Sequence, residues 1–293
     1  MSTADGLPVL VPDPSARRTG LLRLARRNPI GTVGLLVVVA LAVIAVFAPQ
    51  LSPSDPNAQV GKRLSPPSEQ HVLGLDQLGR DVLSRLIWGA RVSLGVSVIS
   101  VGLSLLAGVS LGLVAGYYGG AADTLIMRAM DLMFTLPSFV LAIALTGILG
   151  PSLTNVIIAV AIVTTPTIAR ITRGPILAVR ETEYVASAHA AGAGDRRIMV
   201  RHVLPNITAP IIVQTTVSIA DAILIEAGLS FLGLGIQPPA TSWGNMLGTG
   251  RNFMELANGL SVFPGAAIML AVLGFNFAGD GLRDVLDPRL RGV

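Results

Sequence analysis

Apolar residues follow one another along this chain in long blocks, separated by shorter polar segments. Six of these blocks approach the roughly 20 residues that a helix needs to cross a bilayer. The expected spans are Ile30 to Ala48, Ser93 to Tyr117, Leu125 to Leu149, Leu153 to Ala169, Ile207 to Leu232 and Leu260 to Phe277. The pattern predicts an all-α integral membrane protein with six transmembrane helices.

The polar segment from Pro49 to Arg91 predicts a change of structure along its length. It begins with LSPSDPNAQV, whose prolines and turn formers prevent a continuous helix. Further on, the apolar residues of DVLSRLIWGARVSL recur at helical spacing, and Asp81 stands where it can cap a first turn. We expect a helix that begins after Asp81 and leads into the second span.

The basic residues predict the orientation of the chain. With the N-terminus in the cytoplasm, the spans place most of the 21 basic residues on the inner side, as the positive-inside rule requires. Both termini are then cytoplasmic. The residues left outside are Lys62, Arg63, Arg80, Arg85, Arg91 and Arg251.

Four parts follow from this topology. We expect a cytoplasmic N-terminal tail at 1–28, then the first transmembrane helix and an extracytoplasmic segment at 29–92. A transmembrane core at 93–280 contains a cytoplasmic loop at 171–206, and a cytoplasmic C-terminal tail occupies 281–293. The first apolar block is longer than the roughly 7 to 15 residues of a signal peptide's apolar region, so we expect it to remain uncleaved.

Composition narrows the chemistry. Only 13% of the residues are charged and 52% are hydrophobic, and no cysteine is present. The single lysine lies in Gly61-Lys62-Arg63, so the chain has no phosphate-binding P-loop. Three histidines are too scattered for a zinc site. We therefore expect no catalytic residue, no metal ligand, no cofactor bound by this chain and no nucleic-acid partner.

Two carboxylates, Asp221 and Glu226, fall near the middle of the fifth span. Charge in hydrocarbon is costly, so such residues often mark a transport pathway. Alternatively, they pair with polar groups in a protein interface. Their spacing of five places them about 140° apart on a helix, which makes a shared site unfavourable.

The loop between the fourth and fifth spans predicts a helical hairpin. A helix from Leu177 to Ala191 would end at Gly192-Ala193-Gly194, and Asp195 could cap a second helix, Arg196 to Leu204, which Pro205 closes. The small residues at the end of the first helix would let it enter another protein's groove. The alternative is an amphipathic loop on the inner leaflet, with its arginines on anionic headgroups.

This hairpin resembles the EAA loop of ATP-binding cassette (ABC) importer permeases, in which Glu-Ala-Ala, Gly and Ile-x-Leu-Pro follow one another at fixed intervals. Ala186-Ser187-Ala188 occupies the Glu-Ala-Ala place and Gly192 follows at the same interval. His202-Val203-Leu204-Pro205 ends the motif after nine intervening residues. Ala186 replaces the family's glutamate and His202 its isoleucine.

The resemblance extends over most of the chain from His71 onward. HVLGLDQLGRDVLSRLIWGARVSL, AGYYGGAADTLIMRAMDLMFTLPSFVLAI, EAGLSFLGLGIQPPATSWGNML and FNFAGDGLRDVLDPRLRG are similar to the C-type permease subunits of dipeptide, oligopeptide, nickel and glutathione uptake systems.

The resemblance implies the type I importer permease fold in a bacterial inner (plasma) membrane. It also implies a homologous permease as heterodimer partner, two ATPase subunits that use ATP and magnesium, an extracytoplasmic substrate-binding protein, and surrounding lipid. The hairpin would couple the permease to an ATPase subunit. The residues expected to do so are Glu183, Tyr184, Ala186, Ser187, Ala188, Gly192, Asp195, Arg196, Arg197, Leu204 and Pro205.

The expected function is thus the non-catalytic permease subunit of an importer of dipeptides or oligopeptides. A nickel-complex or glutathione permease of the same family is the nearest alternative. A more distant one is an ion-coupled secondary transporter that uses Asp221 or Glu226 as a relay. An embedded hydrolase is disfavoured because no histidine falls inside a predicted span.

Overall fold

The computed structural model describes residues 28–286, and helices connected by turns dominate this part of the chain. In chain order, the α-helices are α1 (Pro29–Val46), α2 (Ala48–Leu51), α3 (Val82–Tyr118), α4 (Gly120–Phe134), α5 (Ser138–Leu149), α6 (Leu153–Val179), α7 (Glu183–Ala190), α8 (Asp195–Ile198), α9 (Thr208–Phe231), α10 (Trp243–Gly250) and α11 (Gly259–Leu286).

The predicted fold class is confirmed. Five helical segments in the described region are long and apolar enough to cross a membrane, and the pair α4 and α5 makes six if it counts as one span. The predicted helix after Asp81 is also confirmed. It begins at Val82, the Asp81 side chain accepts a hydrogen bond from the backbone N–H of Ser84, and it continues without a break through the second span.

The prediction that the third span is a single helix is wrong. Leu125 to Leu149 is divided between α4 and α5, whose axes differ by 88°. Pro137 stands at the start of α5, and its ring both fixes φ and removes the N–H that a continuous helix would need. Apolar composition extends across the break, which is why the hydrophobic pattern alone does not reveal it.

Helices α3 and α6 pack closely because glycines on α3 recur every four residues. Gly108, Gly112 and Gly116 face the side chains of Ile168, Thr172 and Ile176. A Cβ atom on Gly112 would lie only 2.6 Å from the carbonyl oxygen of Ala169. This small-residue stripe allows the two backbones to approach each other, as is common between membrane helices.

The first and last described helices also meet at glycines. A Cβ on Gly31 of α1 would collide with the backbone of Gly281 in α11, and the reverse is also true. At the same end, the Asn28 amide donates a hydrogen bond of 2.6 Å to the Asp284 carboxylate. Helix α1 is thereby fixed along the C-terminal helix.

The segment between α2 and α3 is held by buried charges. The carboxylate of Asp76 lies 2.7 Å from the Nε atom of Arg80 and 3.4 Å from that of Arg85. His71 contacts Asp81, which caps α3, at 3.1 Å. This network fixes the turn-rich segment to the beginning of the longest helix.

Helix α10 was not predicted from the sequence. It packs against α11, α9 and α3. Its first residue, Trp243, is almost completely buried and donates its indole N–H to the Leu86 carbonyl of α3 at 3.0 Å. The eight-residue length and five polar or glycine positions of α10 give it no membrane-span pattern.

Candidate functional site

The first half of the predicted hairpin is formed by a separate short helix. Helix α6 ends at Val179 and α7 covers Glu183–Ala190, so the predicted continuous helix from Leu177 to Ala191 is wrong. Thr182 lies in the break and its hydroxyl donates to the Val179 carbonyl at 2.6 Å. Such a local side-chain bond competes with the helical pattern.

The turn of the hairpin is made by glycine, as predicted. Gly192 has a φ of +79°, a conformation that favours glycine. Its N–H donates to the His189 carbonyl at 2.9 Å, and that of Ala193 donates to Ala188 at 3.0 Å. The N-cap of α8 is Gly194, so the prediction that Asp195 caps this helix is wrong. Asp195 is its first residue.

Pro205 does not end the second helix of the hairpin. A π-helical turn at Met199–Val203 and a 3₁₀ turn at Leu204–Ile207 connect α8 to α9. These changes of hydrogen-bond register accommodate a residue that has no N–H. The result is one helical run of 37 residues from Asp195 to Phe231.

The hairpin (residues 183–198) packs its apolar face against its own chain. Val185 and Ile198 are buried in a cluster with Ile176, Val203 and Ile207. Consequently little apolar surface of the hairpin is left for other contacts. Its exposed residues are mostly small, polar or arginine.

Tyr117, at the end of α3, joins both helices of the hairpin. Its hydroxyl donates to the Asp195 carboxylate at 3.0 Å and lies 3.0 Å from Nε2 of His189, whose ring stacks on the tyrosine with centroids 6.3 Å apart. No sequence pattern indicates that these three residues, which come from separate segments, lie close together.

The predicted coupling residues lie together in the hairpin and the turn that follows it. Ala188 and Leu204 are partly buried. The exposed ones are Glu183, Tyr184, Ala186, Ser187, Gly192, Asp195, Arg196, Arg197 and Pro205.

A central cleft lies where α5, α6 and α9 approach one another, beside the break between α4 and α5. Its volume is about 340 Å³. Asp221 lines it from α9, together with the hydroxyl residues Ser138, Thr164, Thr167 and Ser218. The structure thus places Asp221 in an open cleft of mixed polar and apolar lining, within the membrane-spanning part of the chain.

Glu226 lies in the interior, away from this cleft. It is completely buried, and one carboxylate oxygen accepts a hydrogen bond of 2.8 Å from the Ser230 hydroxyl. Ser93 of α3 and Ser242, which caps α10, also lie beside the carboxylate. The two predicted carboxylates therefore occupy different environments, in agreement with their angular separation.

Comparison with known proteins identifies the architecture. Residues 108–292 match the family model of the binding-protein-dependent transport system inner membrane component. The chain belongs to this family. Residues 21–67 of the permease also match the N-terminal transmembrane domain of oligopeptide transport permease C.

Full-length relatives support the same assignment. The permease is 43% identical to the dipeptide transport system permease protein DppC of Alkalihalophilus pseudofirmus, over 99% of this chain and 100% of that protein. It is 48% identical to the di/tripeptide transport system permease protein DppC of Pseudomonas aeruginosa, over 89% and 88%. It is 44% identical to the glutathione transport system permease protein GsiD of Pectobacterium atrosepticum, over 92% and 90%.

A solved structure shows the same fold. An inward-facing MetNI methionine ABC transporter matches with a TM-score of 0.56 and 18% identity, over 69% of this chain and 96% of that chain. The permease therefore has the type I importer fold. It is a multi-pass, non-catalytic membrane subunit of an ABC importer.

Proposed function

We propose that this permease forms, with a homologous permease, the membrane path for dipeptides or short oligopeptides. The observation that carries the proposal is the identity of 43–48% with two permeases named for dipeptide or di/tripeptide transport, across nearly the whole of each chain. The glutathione permease at 44% identity is named for a substrate that is itself a short peptide. The substrates named for these relatives thus share a peptide backbone with charged ends.

The hairpin is the proposed contact with an ATPase subunit. Its apolar face is occupied by its own chain, whereas a helix lying on a membrane would turn that face toward lipid. The exposed end of α7 carries the small residues Ala186, Ser187 and Ala190 beside His189, and a protein groove can approach such small residues closely. Arg196 and Arg197 beside it can pair with acidic groups on the rim of such a groove.

ATP hydrolysis is proposed to act on this permease from outside the chain. Partner subunits supply the nucleotide site and its magnesium ion, and an extracytoplasmic binding protein delivers the peptide. The hairpin then faces the cytoplasm, as do both termini. Closure of the ATPase dimer moves the hairpin and with it the connected helices, which changes the side to which the cleft opens.

Reconstitution of the whole transporter in liposomes tests this function. The permease, its homologous partner, both ATPases and the binding protein should accumulate a labelled dipeptide only with ATP and magnesium. A chain lacking residues 186–197 should lose both ATPase co-purification and uptake. Peptide uptake that needs no ATP and collapses with a protonophore would contradict the proposal, as would full uptake by the deletion variant.

A further inference from the structure

The central cleft combines one carboxylate with neutral polar groups and an apolar wall. Asp221 is the only ionisable residue among the side chains that line it. Ser138, Thr164, Thr167 and Ser218 supply hydroxyl groups, and Phe139 and Leu224 belong to the apolar wall. The volume of about 340 Å³ is at the lower end of the range for small-molecule pockets, roughly 300–1,000 Å³.

The hydroxyl groups can still accept hydrogen bonds. Thr164 donates to the Val160 carbonyl at 2.8 Å, and this bond leaves its oxygen lone pairs free. Ser218 accepts a long bond of 3.3 Å from the Gln214 amide. The cleft is therefore rich in acceptors, and a ligand group that carries several N–H donors fits this lining.

The Asp221 carboxylate has no ion-pair or hydrogen-bond partner within the part of the chain that the structure describes. It remains exposed even though it lies near the middle of α9. Two carboxylates of α4, in contrast, pair with arginines of α6. Asp123 binds Arg173 through two hydrogen bonds and Asp131 binds Arg170 at 2.7 Å.

We infer that Asp221 is the anchor for a protonated amine of the substrate, the α-ammonium group of a peptide. This inference rests on the proposed peptide-transport function. An ammonium group carries three donors, which the Asp221 carboxylate and the Thr167 hydroxyl can share. The wall near Phe139 and Leu224 then receives the adjacent side chain of the peptide.

A metal ion fits the cleft less well than an ammonium group. No cluster of three metal-ligating side chains occurs among residues 28–286, and Asp221 is the single charged ligand available here. Hard cations require several oxygen ligands with more negative charge than one carboxylate supplies. An organic cation needs only one counter-charge and a partly apolar surface.

The absence of cysteine from the chain permits a direct test. Ser138→Cys places a single thiol in the cleft, and its reaction with iodoacetamide is measured in the assembled complex without the binding protein. Dialanine should slow the reaction at concentrations at least tenfold lower than N-acetyl-dialanine, which lacks the charged amine. The matched control is Ser68→Cys, an exposed serine far along the chain from the cleft, which neither peptide should protect.

Substitution of Asp221 provides a second test of the inference. In the Ser138→Cys background, Asp221→Asn should remove the difference between the two peptides, and Asp221→Glu should retain it. Equal protection by both peptides while Asp221 is present would overturn the inference. An unchanged difference between the peptides in Asp221→Asn would do the same. If Asp221→Asn fails to assemble, the comparison of the two peptides decides alone.

The proposed function and the role of Asp221 can be refuted separately. A complete transporter that accumulates no peptide in the liposome assay refutes the proposed function. A transporter that accumulates peptides but protects the Ser138→Cys thiol without regard to the amine refutes only the role of Asp221. Pairing of Asp221 with an arginine of the homologous permease would produce this second result.

Discussion

At the scale of single residues, two neighbouring glycines in the hairpin have different roles. Gly192 has a φ of +79°, whereas Gly194, the N-cap of α8, has a φ of −70° that any residue adopts. A Cβ at either position would meet no atom within 4 Å. Backbone conformation, rather than space, therefore distinguishes them.

Gly192→Ala should weaken the hairpin and Gly194→Ala should not. A left-handed backbone costs an L-residue roughly 1–2 kcal/mol, which would distort the turn or shift it out of register. ATP-dependent peptide uptake by the reconstituted transporter should fall severalfold for Gly192→Ala and remain near the wild-type rate for Gly194→Ala. Equal loss in both variants would show that side-chain bulk, and not the turn, is what matters here.

Tyr117 links α3 to the hairpin through its hydroxyl group, and this bond can be removed alone. Tyr117→Phe keeps the ring that stacks on His189 and loses the contacts with His189 and Asp195. We expect the local stability of the hairpin to fall by about 1 kcal/mol. Its amide hydrogens should then exchange about fivefold faster. Hydrogen exchange of residues 183–198 measures this change. Tyr118→Phe is the control, because Tyr118 is exposed.

At the scale of helices, the contact between α3 and α6 depends on the glycine stripe. Overpacking costs about 1–3 kcal/mol when the surroundings cannot move, and here backbone atoms of α6 lie in the way. Gly112→Leu should therefore lower the thermal unfolding midpoint of the detergent-solubilised permease. Gly102→Leu, on the same helix with nothing within 4 Å of its Cβ, should have little effect. A similar midpoint for both variants would contradict the packing argument.

Helix existence was easier to predict from the sequence than helix ends. Asp81 revealed the start of α3 because capping is a local interaction of a residue with the next turn. Proline has opposite outcomes at two positions. The helix breaks before Pro137, whereas the helical run continues through Pro205. A proline removes one backbone donor in both cases. The packing of the surrounding helices decides whether the chain bends or changes its hydrogen-bond register.

At the scale of the whole molecule, the candidate site was only partly predictable. The residues of the hairpin were located as a segment because their small and basic composition contrasts with the apolar blocks around it. The central cleft was not, because it joins α5, α6 and α9, and the contacts between them are not encoded in any one stretch. The 140° separation of Asp221 and Glu226 indicated different environments but not which one faces the interior.

The orientation of the chain is open to a direct check with single cysteines. The distribution of basic residues predicts that Ser187 lies in the cytoplasm and Ser68 outside, and both side chains are exposed. In intact cells, a membrane-impermeant maleimide should label Ser68→Cys and spare Ser187→Cys until the membrane is permeabilised. Labelling of Ser187→Cys from outside would invert the topology and remove the hairpin from the reach of an ATPase.

The helical run from Asp195 to Phe231 connects the second half of the hairpin to Asp221 without a break in the helix. Over 37 residues at 1.5 Å each, a straight α-helix would be about 55 Å long and would place Asp221 about 40 Å from the hairpin end. A tilt of about 5° about that end would move Asp221 by about 3.5 Å over this length. Ser138 and Thr167 belong to other helices and need not follow. A small rotation at one end can thus change the width of the cleft at the other.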